Sequence, residues 1–123
     1  MKMNELRITA EVIDTAISQW LGEIDGLLTA LIAFMAVDYI SGVSCAIIEH
    51  KLSSSIGAKE IFRKVLILML VGVANALDNI IAGGGQLLRT AVIFSYISNE
   101  GISILENSVR LGLPVPDKLK NKE

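Results

Sequence analysis

Apolar positions recur at spacings of three and four from Leu6 to Ile24: Leu6, Ala10, Ile13, Ile17, Trp20, Leu21 and Ile24 share one side of a helix. Glu11, Asp14, Ser18 and Gln19 fall elsewhere. The pattern predicts an amphipathic helix over 5–24, too charged to cross a membrane. Its apolar side suits either a membrane interface, where Trp20 would sit well, or the faces of neighbouring helices.

Beyond it the periodicity gives way to long apolar runs over 26–48, 65–82 and 87–105. A helix rises ~1.5 Å per residue, so about twenty residues cross a ~30 Å hydrocarbon layer. Three membrane spans are therefore expected, the third being interrupted most. Each run carries one weakly polar face. In the first, Asp38, Ser41 and Cys45 are spaced three and four apart. In the second, Asn75, Asp78 and Asn79 form a patch in the C-terminal half. In the third, Arg89, Asn99, Glu100 and Ser103 stand among aliphatic residues, and Glu106 and Asn107 extend the polar side. An acidic residue at mid-bilayer costs about 2.5–3.5 kcal/mol, so Glu100 should face protein or water, and Arg89 can snorkel from its helix end. Gly42 with Ala46, and Gly72 with Ala76, are small residues four apart that allow close helix approach.

The connections are read from their punctuation. Over 49–64, Ser53-Ser54-Ser55 with Gly57 signals a turn or a helix start, and Arg63-Lys64 before the second run resembles an interface anchor. His50 reads as a solvated interface residue. Gly83-Gly84-Gly85 is a turn; no Lys-Ser/Thr follows it to make a phosphate loop. Gly112, with Pro114 and Pro116 after it, ends the last helix, and 114–123 is a basic tail.

The composition is that of a membrane-associated chain. The chain is 52% hydrophobic with 5% aromatic residues, a mean hydropathy of +0.57 and a net charge of −2. Such a chain is too apolar for an ordinary soluble domain and has the wrong charge for nucleic acid. Cys45 and His50 are the lone cysteine and histidine, so neither a disulfide nor a zinc site is expected. No triad, metal cluster or cofactor motif is apparent, and no enzymatic role is expected. Lys51, Lys59, Arg63, Lys64, Arg110, Lys118, Lys120 and Lys122 would share one side of a three-span protein, against Lys2 and Arg7 on the other. The positive-inside rule then places the N-terminus outside and the C-terminus in the cytoplasm. With two spans the N-terminus and tail would share a side.

A resemblance enters with Arg89, Tyr96, the run Asn99-Glu100-Gly101-Ile102-Ser103-Ile104-Leu105-Glu106-Asn107, and Gly112, Pro114 and Pro116. Upstream, Asp38-Tyr39-Ile40-Ser41-Gly42, Lys51-Leu52-Ser53-Ser54, Gly57 and Lys64 belong to the same pattern. Together they resemble the toxin-secretion/phage-lysis holin family of bacilli and clostridia, from about Phe34 to Lys120. The resemblance implies an all-α integral membrane protein, 1–123 forming a single unit in the bacterial cytoplasmic membrane. It would self-associate into a lesion that releases endolysin or a toxin and times lysis. Its partners would be membrane lipid and copies of itself, with endolysin served without required contact. The polar faces would then line a pore or pack within a bundle. Two other classes compete: a small ion channel or transporter subunit with Asp38, Asp78 and Glu100 on an acidic path, and a soluble helical adaptor with a very apolar core. Met1, Lys2 and Met3 also permit a dual start, the longer product carrying one more positive charge outward.

Overall fold

The computed structural model describes residues 2–81, 83, 85–114 and 116. These form four helices and no strands: α1 Met3–Leu21, α2 Gly26–Ile48, α3 Ser54–Ile80 and α4 Leu87–Arg110. Met1, Ala82, Gly84 and most of the tail, for which the sequence carries expectations, lie outside the described residues.

Local chemistry explains the boundaries. Asp25 caps α2, its carboxylate accepting from Leu28 N–H at 2.9 Å, and Ser53 caps α3 by accepting from Ile56 N–H at 3.1 Å. The serine cluster is thus a helix start, and the connection shrinks to the few residues between Ile48 and Ser54. α2 ends with His50 at φ 57, a left-handed residue that lets Lys51 N–H reach Ala46 C=O at 2.8 Å. α4 ends the same way on Gly112 at φ 88, with Leu113 N–H bonded to Ser108 C=O at 2.9 Å.

Two expected spans are redrawn. The second helix begins at Ser54, not at 65, so Lys59, Arg63 and Lys64 are helical residues. The third runs to Arg110, beyond 105, and the first amphipathic helix occupies 3–21, stopping at Gly22 rather than 24. Among the described residues only α2 is long and apolar enough to cross a membrane by its own composition. From Val65 to Ile80, α3 falls short of the ~20 residues a span takes, so a crossing would take in Arg63, Lys64 and the turn before them. α4 carries Arg89, Glu100 and Glu106 along its length.

α4 packs mainly on α2 and α3, and α1 lies against α3. The apolar core is small: Leu28, Leu31 and Met35 of α2, Ile67 and Val71 of α3, Ile93 of α4, with Leu21 at the edge. It occupies a middle slab. Along α2 the order is Asp25, core, Asp38; along α3 it is Lys64, core, Asp78; along α4 it is Arg89, core, Glu100. At ~1.5 Å per residue these polar positions stand roughly 15–20 Å apart on each helix. The bundle therefore holds two polar layers with an apolar layer between them. Its outer faces are apolar, with Ile40, Phe62, Leu66, Val73 and Phe94 exposed.

Candidate functional site

The first polar layer joins α2, α3 and α4. Lys64 Nζ donates to Asp38 Oδ2 at 2.7 Å and to Glu100 Oε2 at 2.9 Å. Arg63 Nη2 donates to the other Glu100 oxygen at 3.1 Å, while its Nε reaches Glu60 at 3.4 Å. Asn107 Nδ2 spans to Ser41 Oγ at 2.9 Å and to Asp38 Oδ1 at 3.3 Å, and Cys45 Sγ donates to Asn107 C=O at 3.3 Å. Asp38, Lys64, Glu100 and Asn107 are all buried, whereas Arg63 keeps 43% of its side chain exposed. Two carboxylates thus face two cations, and among the described residues no buried side-chain polar atom lacks a partner. A buried ionic group is tolerated only on those terms. The network continues through Arg110, which donates to Asn107 Oδ1 at 3.3 Å and to Glu49 Oε1 at 2.6 Å. Its hydrogen bond with Arg110 holds the Glu49 carboxyl below the usual range, and Arg110 is raised in turn.

The second layer binds helix ends to one another. Arg89 has no exposed surface; it donates from Nε to Leu21 C=O at 2.7 Å, from Nη2 to Glu23 C=O at 2.6 Å and from Nη1 to Asp25 Oδ2 at 3.0 Å. Asp78 accepts from Leu88 N–H at 3.0 Å and Arg89 N–H at 2.8 Å, capping α4 from α3. Asn75 donates to Trp20 C=O at 3.1 Å, capping the end of α1. Gly22, at φ 86, admits this: a Cβ there would stand 2.7 Å from Arg89 Nε. The Leu28 N–H bond, then Arg89, lowers the Asp25 carboxyl against the opposing cost of burial.

These placements revise several sequence expectations. Arg89 does not snorkel outward; its partners are the carbonyls ending α1. Lys64 is no interface anchor but the centre of the first layer. Asp38, Ser41, Glu100 and half-buried Ser103 belong to the first layer or border it; Asn75, Asp78 and Arg89 form the second. Asn79 and Asn99 are exposed and join neither. Gly72 receives an indole: a Cβ there would overlap the Trp20 ring. Gly42 faces Asn107 across 3.6 Å from a built Cβ, Ala46 lines a cavity beside it, and Ala76 is half-buried. Sequence reasoning left out Asp25, although an Asp directly before an apolar run is an N-cap signature. It also gave Lys64 no acidic partner, for which no local signal exists.

Among the described residues no cluster of three or more metal-ligating side chains occurs. The polar groups are mutually satisfied, so the arrangement holds helices together rather than presenting a reactive atom. Comparison with known proteins agrees in kind. An uncharacterized protein of Listeria monocytogenes, Lmo0128, is 48% identical over 100 residues, 81% of this chain and 71% of that protein. An uncharacterized 14.9 kDa protein in the nagH 3' region of Clostridium perfringens is 44% identical over 93 residues, 76% of this chain and 70% of its own length. The probable holin of Bacillus phage phi105 is 37% identical over 89 residues, 72% of this chain and 65% of its own. No solved structure matches. The model of the bacteriophage holin family matches residues 15–122, and the chain belongs to that family of non-enzymatic membrane proteins.

Proposed function

We propose that this protein is a holin that inserts α2, α3 and α4 into the bacterial cytoplasmic membrane, self-associates, and opens a lesion releasing endolysin or a toxin. One observation carries the reading: the distribution of polarity is inverted. Asp38, Lys64, Asp78, Arg89 and Glu100 are buried, while Ile40, Phe62, Leu66, Val73 and Phe94 are exposed. In water that arrangement is unfavourable on both counts; in lipid it is the stable one. Lys64, Arg89 and Glu100, which interrupt α3 and α4 as spans, are paired inside the bundle, so a residue-by-residue hydropathy overstates their cost in lipid.

The monomer bundle is then the closed form. Its two polar layers act as latches that bury groups suited to lining water. Exchange of intramolecular partners for contacts between copies would turn these faces toward a water-filled opening. The basic residues Lys51, Lys59 and Arg63, with Arg110 and those of the tail, support an external N-terminus and a cytoplasmic C-terminus. A dual start at Met1 and Met3 would delay opening through the charge on Lys2, and Lys2→Glu would then hasten it.

Fractionation with release assays tests the reading. The protein should stay in carbonate-washed membranes, and its induction should release a large folded cytoplasmic reporter. Extraction by carbonate would overturn membrane insertion. Ion-selective conductance without reporter release would favour a channel; against that reading, the acidic groups of the two layers share no hydrogen-bond partner.

A further inference from the structure

A cavity of about 370 Å³ lies between the C-terminal half of α2, the start of α3 and the last turns of α4. Its floor is polar, formed by Asp38, Ser103 and Asn107 of the first polar layer. Its walls include Val43, Leu52 and Ile56, all aliphatic. Lys51, Glu106 and Arg110 stand at its exposed edge. Space exists because the facing positions are small: a Cβ on Gly57 would already come 3.3 Å from Tyr39 Oη.

The charges around the opening are not equally available. Arg110 is held by Glu49, and Glu60 by Arg63. Lys51 and Glu106 enter none of the ion pairs among the described residues, and Tyr39 Oη makes no side-chain hydrogen bond there. One cation and one carboxylate outside these ion pairs, together with one phenol, therefore border an aliphatic wall.

We propose that this cavity binds the headgroup of an aminophospholipid, its phosphate on Lys51 and its primary ammonium on Glu106. Tyr39 donates to a phosphate or ester oxygen, and one acyl chain follows Val43, Leu52 and Ile56. The balance of free charge selects the headgroup. An anionic phosphatidylglycerol would set its phosphate near an unanswered Glu106. A quaternary choline has no N–H to give a carboxylate, so it loses the charge-assisted bond. The proposal rests on the membrane-embedded reading above and assigns a lipid to a site that reading leaves empty of function.

The test reconstitutes the full chain in vesicles holding equal amounts of phosphatidylethanolamine, phosphatidylglycerol and phosphatidylcholine. Carbonate-washed vesicles are extracted in mild detergent, and lipids retained on the protein are counted by mass spectrometry. Several-fold enrichment of phosphatidylethanolamine is expected. Lys51→Gln and Glu106→Gln should each return retention to the bulk ratio, whereas Lys59→Gln, an exposed cation away from the cavity, should not. Both substituted residues are exposed and outside the ion pairs, and circular dichroism in detergent checks that the variants keep the parent's helix content. Retention at the bulk ratio in the parent, preference for phosphatidylglycerol, or enrichment that survives both substitutions would overturn the proposal. Failure of the membrane reading is separate: the protein would leave the carbonate-washed vesicles altogether.

Discussion

Lys64 Nζ lies 2.7 Å from Asp38 Oδ2, on a helix 26 residues further along the chain. The same ammonium touches Glu100, so one cation joins α2, α3 and α4. Its loss leaves two buried carboxylates side by side with Arg63 as their one remaining cation.

Lys64→Met should therefore destabilise the detergent-solubilised protein by about 3–5 kcal/mol, the cost of breaking a buried pair. Glu100→Gln is milder, since Lys64 keeps Asp38. It should insert normally yet shift the time of reporter release after induction. Parent-like release in both Glu100→Gln and Glu100→Ala would remove Glu100 from the latch.

The second layer predicts a pH dependence. Leu28 N–H and Arg89 hold Asp25 below its ordinary carboxyl value in the folded protein. A depressed carboxyl contributes stability above its unfolded pKa and loses it as pH falls through the folded one. Asp25→Asn keeps an N-cap but drops the charge facing Arg89. With Asp25 31% exposed, screening reduces the loss to about 1–2 kcal/mol near neutral pH. The gap to the parent should close in strong acid; thermal melts in detergent at both pH values measure it. A gap independent of pH would assign the effect to packing.

Trp20 is the chain's single tryptophan, which makes its seat on Gly72 directly observable. Gly72→Ala places a methyl inside the indole's position, so the ring must leave. Emission maximum and quenching by acrylamide should both change, while Gly101→Ala, facing Phe34 at 3.5 Å, should leave them as in the parent. Identical spectra for Gly72→Ala would refute the contact.

The charge distribution carries a prediction about topology. A reporter fused after Glu123 is expected to be active in the cytoplasm and one inserted at Gly84 outside. Cytoplasmic activity at Gly84 would overturn the three-span arrangement.

Much of this protein is written locally. The cap at Ser53, the stop at Gly112 and the amphipathic stripe through Ile13 and Ile17 depend on residues within a turn or two of one another, so spacing reveals them. The family pattern around Asn99-Glu100 is likewise readable from the chain alone. Helix extent was harder where charge interrupts an apolar run. Lys59, Arg63 and Lys64 look like a connection because propensity does not penalise them in a helix and hydropathy does in a span.

Which polar residues pair was decided only by the tertiary structure. Asp38 meets Lys64, Arg89 meets Asp25 and Leu21, and Asn107 meets Ser41 across separations of 26 to 68 residues. Long-range ion pairing has no period along the chain. Its geometry comes from the order in which the antiparallel helices α2, α3 and α4 stack two polar layers around one apolar slab. Local spacing and propensity suffice to form the helices and to place the charges that interrupt them. Packing determined that those charges meet an opposite charge or, at Asp78, backbone N–H groups, because a charge kept from water persists only beside such partners.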